Sequence, residues 1–323
     1  MKALYFGTYD RDHPRNVNAI AAMREAGVEV VERSASVRGT GMRGAASVLG
    51  AETRLLRPRR GDFDVVIVGY PGHFDVPHAR RLARRKPLVF DAVLSLEDEL
   101  VTVRRRFRPR STAATMLRAV DFRALRLSDL VVCGTDAEAR HLQSLGADRV
   151  ASVFLGTDEA LYGHRWTPTY PFTAVHFATG IAGDESADVV RAAAELTDVP
   201  VQVVVRGEVA AEDLGIAVAH AGIVLASFRE SRSISSSVFD ALASGVPLIT
   251  ADTAAARELL RDGESAILVA PNDPHALARA ISRLAADDPL RQHVAESGHE
   301  VFRTQAARPV LGERWLALLE ALV

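Results

Sequence analysis

The run 64-DVVIVGY-70 decides the fold. After Asp64 its positions are apolar or small without interruption, so no polar face is left for water. That is the mark of a strand covered on both sides of a sheet. Three later runs repeat the pattern: 87-PLVFDAVLS-95, 129-DLVVCGT-135 and 150-VASVFLG-156. Upstream, 2-KALYF-6 and 28-VEVVE-32 read as two shorter strands. Helical stretches lie between them, the first from about Pro14 to Ala26 with a stop at Gly27. Alternation of buried parallel-type strands with helices predicts an α/β, doubly wound, Rossmann-like domain. Residues 34–61 are rich in Gly, Ala and Arg, and are open between helix and loop.

The character changes at 163-GHRWTPTYPF-172, which has two prolines, bulky aromatics and no periodicity; it is expected to link two domains. A second alternating series follows, with strands at 173-TAVHFATG-180, 199-VPVQVVVRG-207, 222-GIVLASF-228, 246-VPLIT-250 and 266-AILVA-270. Helices are expected near 186–197, 235–244, 254–261 and 274–287. The last segment, 309-PVLGERWLALLEALV-323, is an amphipathic helix outside both series.

A chain of 323 residues, 48% hydrophobic and 25% charged, fits two soluble domains with real cores. No apolar run is long enough to span a bilayer, and Met1-Lys2 leads directly into a strand. A cytoplasmic location is therefore expected. The single cysteine, Cys133, excludes an internal disulfide and a cysteine-based zinc site, and its apolar neighbours mark it as core. Net charge is −2, yet residues 1–165 carry 27 basic against 20 acidic side chains, and the remainder 12 against 21. The basic residues cluster in 80-RRLARRK-86 and 104-RRRFRPR-110. Such a basic half suits peripheral contact with an anionic surface, for instance the inner membrane face. Nucleic acid is disfavoured, because only Phe107 interleaves with the basic runs.

Ligands of open α/β sheets bind at the carboxyl ends of strands. The loop 7-GTYDRDHPRN-16 stands at such an end and gathers Gly7, Asp10, Asp12, His13, Arg15 and Asn16. Capping by Asp12 with Pro14 at the first helical position accounts for two of these residues. The rest point to a ligand rich in hydroxyls. His73, in 69-GYPGHFD-75, is equally a structural or a catalytic histidine. Asp91 follows the apolar 88-LVF-90 and suits a sugar hydroxyl or general-base work. Asp10, His73 and Asp91 are thus the acid–base candidates.

The densest signal is 228-FRESRSISSSVFDALASGVPLIT-250. Ser235, Ser236 and Ser237 open a helix whose first-turn amides and dipole favour an anion. Arg232 adds a guanidinium fork suited to phosphate. Asp240, about a turn and a half further on, is spaced to accept two vicinal ribose hydroxyls. Anion first and diol second is what a nucleoside diphosphate requires. No GxxxxGK[ST] loop is present, and 179-TGIAG-183 lacks the rest of a dinucleotide fingerprint, which disfavours hydride transfer.

These segments resemble glycosyltransferases of the GT-B fold, close to retaining family GT4. The resemblance rests on 240-DALASGVPLITAD-252 and 258-ELLRDGESAILVAPNDPHALARAISRLAADDPLRQ-292. In the first half it rests on 129-DLVVCGTDAEARHLQSLG-146 and 153-VFLGTDEALY-162. It implies an acceptor domain over 1–165, completed by a final helix 309–323 crossing back to it, and a nucleotide-sugar donor domain over 170–308. It further implies a reaction in the cleft without metal or other cofactor, on a UDP- or GDP-linked sugar, with Asp240 on the ribose. The preceding loop would meet diphosphate and sugar. The family's glutamate eight residues before the ribose acid is replaced by Arg232, with Glu230 two residues off. The family's Arg and Lys after the first donor-domain strand are absent, its glycine pair reads Ala254-Ala255, and one strand–helix unit before residue 206 is missing. Arg206 and Arg232 are expected to supply the positive charge instead, alongside Glu230, Ser235 and Ser236.

The resulting expectation is a sugar transferase acting with retention from a nucleoside diphosphate to a hydroxyl acceptor on a glycan, lipid-linked glycan or natural product. Two alternatives stay open: an accessory GT-B protein without catalysis, and a nucleotide-sugar epimerase.

Overall fold

The computed structural model describes residues 1–34, 62–103, 105–168, 172–178, 185–205 and 209–323. The described chain divides into two compact units, Met1–Phe154 with Leu311–Val323, and Leu155–Val310.

The first unit is built on strands β1 (Lys2–Gly7), β2 (Glu29–Ser34), β3 (Val65–Val68), β4 (Leu88–Val93), β5 (Leu130–Cys133) and β6 (Val150–Ser152). They form one parallel sheet in the order β2-β1-β3-β4-β5-β6. Leu4, Phe6, Val66, Val68, Leu88, Phe90, Val131 and Cys133 join one core cluster. The alternate residues Ala3, Tyr5, Val65, Ile67, Val89 and Val132 are equally buried. Both faces are therefore covered, which is why these strands lack a polar side. Among the described residues the covering helices include α1 (Pro14–Glu25), α2 (Val76–Ala83), α3 (Thr112–Leu127) and α4 (Asp136–Ser144). Ser111 caps α3 through the Ala114 amide at 3.2 Å, and Thr135 caps α4 through the Glu138 amide at 3.1 Å. Strand order reverses between β1 and β3, so the loops after these two strands flank the topological switch point.

The second unit repeats the plan with β7 (Ala174–Ala178), β8 (Val201–Val205), β9 (Ile223–Leu225), β10 (Leu248–Ala251) and β11 (Ile267–Val269). This parallel sheet has the order β11-β10-β9-β7-β8. Its helices are α5 (Glu159–Tyr162), α6 (Glu185–Ala194), α7 (Ala211–His220), α8 (Ser236–Ser244), α9 (Ala256–Leu259), α10 (Pro274–Ala286) and α11 (Asp288–Val301). Helix α8 ends at Gly245 with φ +63°, the left-handed cap that glycine adopts without strain. The chain then turns through Val246-Pro247 into β10.

The last helix, α12 (Arg308–Glu320), packs on the first unit from Leu311 onward. Gly312 permits this, since a Cβ there would stand 2.5 Å from the Ala22 carbonyl of α1. Trp315 is enclosed three residues later. Among the described residues, no helix is long and apolar enough to cross a membrane.

Candidate functional site

In the first unit the polar loop after β1 divides into an inner and an outer part. Asn16 is fully buried and uses its whole amide. Its Oδ1 accepts from the Tyr5 hydroxyl (2.8 Å) and the Tyr70 amide (3.0 Å). Its Nδ2 donates to the carbonyls of Asp10 (2.6 Å) and Tyr70 (2.7 Å). Asn16 therefore staples the loop after β1 to the loop after β3, and no donor or acceptor of it faces a substrate.

Arg15 and Asp91 form a buried pair. The Arg15 Nε lies 2.9 Å from both Asp91 oxygens, and the side chains are 2% and 0% exposed. The Arg15 Nη1 donates to the carbonyls of Val153 (2.6 Å) and Phe154 (3.2 Å), and the guanidinium lies over Trp315, 5.6 Å from the ring centroid. Burial pushes the Asp91 carboxyl above its ordinary range even against this cation. The expectation that Asp91 acts as base and Arg15 as acceptor ligand is corrected here, because each is the other's partner within the core. Asp91 is a packing residue, held at the strand by Arg15. Its partner lay 76 positions away, beyond any local pattern.

His73 is likewise enclosed, 2% exposed. Its Nε2 lies 3.2 Å from the Leu94 carbonyl and 3.5 Å from Asp121, and its ring meets Phe90 edge-on. Asp121 in turn accepts from Ser95 Oγ and from the amides of Leu96 and Glu97. The arrangement fixes the loop after β4, so the structural alternative for His73 is the one the geometry supports.

The outer part is different. Asp10 and Asp12 are exposed and His13 half-buried. His13, not Asp12, caps α1, accepting the Arg15 amide at Nδ1 (3.3 Å). Pro14 takes the first helical position as expected. Gly7, at φ +130°, brings the backbone against Asp75, which accepts the Thr8 amide and hydroxyl at 2.8 Å each. Asp10, Asp12 and His13 remain the polar rim of this loop.

In the second unit the opening of α8 faces a narrow crevice, with only about 10 Å³ of room for solvent, at the carboxyl ends of β9 and β10. Arg229, Ser231, Ser233, Ser235, Thr250 and Thr253 supply its polar lining. Ser235 is the N-cap residue, yet its hydroxyl caps nothing; it lies 2.9 Å from Ser237 Oγ. No side-chain oxygen thus competes for the first-turn amides, which favour an anion. Ser236 begins the helix, and Glu230 and Arg232 stand exposed beside this opening. Asp240, buried on the same helix, accepts the Thr157 hydroxyl at 2.6 Å. Arg206 and residues 179–184 lie outside the described residues. Arg229, Ser231, Ser233, Thr250 and Thr253 were missed in the sequence, although Arg229 immediately follows the apolar run ending at Phe228. Thr250 and Thr253 come from another strand end, and only the sheet order brings them there. A larger concavity, about 500 Å³, sits at the opposite end of α8 around Gly245, Gln292 and His299. There the helix presents carbonyls, which repel a diphosphate.

One described group has metal-ligand chemistry: Asp98, Glu138 and His141 in the first unit, each offering an atom within 4.8 Å of the others. His141 Nε2 and Asp98 already meet there at 2.6 Å.

Comparison with known proteins bears on the second unit most directly. Residues 173–287 match the family described as Glycosyl transferases group 1. An exopolysaccharide phosphotransferase of Streptomyces coelicolor is 34% identical over 106 residues, covering 32% of this chain and 11% of that one. The lipopolysaccharide core biosynthesis glycosyltransferase LpsE of Rhizobium meliloti is 33% identical over 82 residues, 25% of this chain and 24% of its own. The matches thus span a quarter or less of these relatives. The structure of HepE from Anabaena in complex with UDP-glucose superposes with a TM-score of 0.71 over 100% of both chains, at 14% identity. That likeness is one of fold. Residues 173–287 are therefore similar to a Glycosyl transferases group 1 domain, in a chain whose two parallel-sheet units have the GT-B fold.

Proposed function

We propose that this chain is a glycosyltransferase that moves a sugar from a nucleoside diphosphate to a hydroxyl acceptor, with the donor held by the second unit. The observation that carries the reading is the pairing, on helix α8, of a hydroxyl-rich uncapped N-terminus beside Arg229 with a buried carboxylate, Asp240, further along. The diphosphate would meet the first-turn amides, Ser235 and the guanidinium groups of Arg229 and Arg232. The ribose diol would take the place of the Thr157 hydroxyl on Asp240. HepE, crystallised with UDP-glucose, supports UDP as the first nucleotide to try. Asp10, Asp12 and His13, on the exposed rim of the first unit, suit the hydroxyls of an acceptor. Retention follows if the leaving phosphate takes the acceptor proton on the same face of the sugar, which needs neither a protein nucleophile nor a metal.

Calorimetric titration with UDP-, GDP- and dTDP-sugars tests the proposal. One nucleotide class should bind, with slow hydrolysis of the donor and no change on adding a chelator. Asp240→Asn should weaken that binding by about tenfold to a hundredfold, the effect of one or two hydrogen bonds to a charged group. No binding across the panel would sink the proposal in favour of an accessory protein; interconversion of the sugar without transfer would favour an epimerase.

A further inference from the structure

We infer that the first unit docks on an anionic phospholipid surface through the outer face of α3 and the arginine-lined concavity at its C-terminal end. Three independent observations converge on this face. First, it keeps large apolar side chains in water. Phe107 is 37%, Met116 65% and Phe122 54% exposed, and all three belong to α3 or the segment leading into it. Isolated exposed apolar residues are ordinary, but three lie here within 16 positions, two of them aromatic, and Met116 and Phe122 both stand on the outer half of α3, about 120° apart around its axis.

Second, the same stretch carries guanidinium groups that have no acidic partner among the described residues. Arg106, Arg108, Arg110 and Arg123 are exposed and make no side-chain hydrogen bond or ion pair among the described residues. Arg118 and Arg126 are held at the surface by Glu97 and Asp148. The one acid of α3, Asp121, is buried and turned inward to Ser95 and the Leu96 and Glu97 amides.

Third, the same face continues into a concavity of about 500 Å³ lined by Arg80, Arg84, Arg85, Arg149 and Asp129. Asp129 follows α3 directly and is occupied by Arg80 at 2.7 Å. The side chains of Arg84, Arg85 and Arg149 make no hydrogen bond or ion pair among the described residues. The link to α3 is structural: Gly146 lies against the Phe122 ring, and Arg126 pairs with Asp148, the neighbour of Arg149. The concavity sits before the starts of β4, β5 and β6, whereas ligands of such sheets occupy the other end of the strands. It is therefore separate from the polar loop after β1.

Aromatic and thioether side chains at headgroup depth, ringed by arginines, are the two signals that hold a protein on an anionic bilayer. The concavity then takes headgroup phosphates, which arginine recognises through its planar fork. A nucleic acid would call for aromatics interleaved along a groove. Here the apolar groups stand out from a convex helix face instead.

Vesicle co-sedimentation of the full chain provides the test, with phosphatidylcholine alone set against vesicles containing about a third phosphatidylglycerol. Binding should require the anionic lipid and fade with added salt. Replacing Arg108 and Arg123 by Glu, or Arg84 and Arg85 by Glu, should weaken it by about fivefold or more per arginine removed. Met116→Asp should weaken it without altering its dependence on lipid charge. All these positions are exposed, and unchanged circular dichroism melting would confirm that the variants fold. Equal binding to neutral vesicles, or full binding by both arginine variants, would overturn the inference. So would tight binding of soluble inositol hexakisphosphate with no sedimentation, which would mark a site for free polyphosphate. Donor titration runs as a separate measurement, so failure here leaves the transferase reading untouched.

Discussion

A guanidinium buried without a matching charge would destabilise everything around it, and Arg15 is 2% exposed. Its match is Asp91 on β4, and its Nη1 reaches the carbonyls after β6, so one side chain ties α1 to both strands. Breaking such a pair on one side leaves an orphaned charge. Asp91→Ala is therefore expected to cost about 3–5 kcal/mol in urea unfolding, whereas Arg15→Met with Asp91→Leu should recover most of the loss. Equal losses in the single and double variants would refute this account of the pair. At this scale the sequence is legible in kind but not in role. Strand-end position correctly marked Arg15, Asn16, His73 and Asp91 as unusual polar residues. Their partners, Asp91, Tyr70, Leu94 and Arg15 respectively, come from other elements or the loops that follow them, so nothing local could distinguish a core network from a ligand site.

Elements were more legible than residues. All eleven described strands overlap the runs that announce them, and eight lie wholly within, because a strand buried on both faces has no polar positions to blur its pattern; β1, β2 and β10 run on by one or two residues. The boundaries shift by a few residues where glycines and small polar residues at the strand ends belong to loops, as in 69-GY-70 after β3. Helix α12 shows what periodicity leaves out. Its docking depends on Gly312, whose missing Cβ lets the helix approach the Ala22 carbonyl. Gly312→Val should push α12 away from α1, strip the cover from Trp315 and lower stability by about 1–3 kcal/mol, the usual cost of overpacking. Tryptophan fluorescence should move to the red at the same time. An unchanged emission maximum and melting temperature would show that α12 tolerates the added methyls.

For the whole molecule, folding enclosed His73 where it resists protonation. Burial lowers its pKa from the ordinary 6.5, against the opposing pull of Asp121 and of the Leu94 and Pro71 backbones. Below that ordinary value the unfolded chain takes up a proton that the native chain refuses, so stability falls as the pH drops through and below 6.5. The limiting slope for one such group is about 1.4 kcal/mol per pH unit. His73→Gln should flatten the dependence between about pH 7 and 5, read from urea midpoints. Asp91, whose pKa is raised, acts in the opposite direction above its ordinary 3.8, but it is common to both proteins and cancels in the comparison. Identical slopes for the two proteins would discount His73 as the source.

The central claim, that a nucleotide sugar is held at the opening of α8 in the second unit, has a direct test in hydrogen–deuterium exchange with and without UDP-glucose. The amides around Arg229–Asp240 and Thr250–Ala256 line or adjoin the cavity. They should slow on adding the nucleotide sugar, and Asp240→Asn should reduce that protection. Protection confined to the Gly245, Gln292 and His299 end of α8, or none at saturating UDP-, GDP- and dTDP-sugars, would contradict the account.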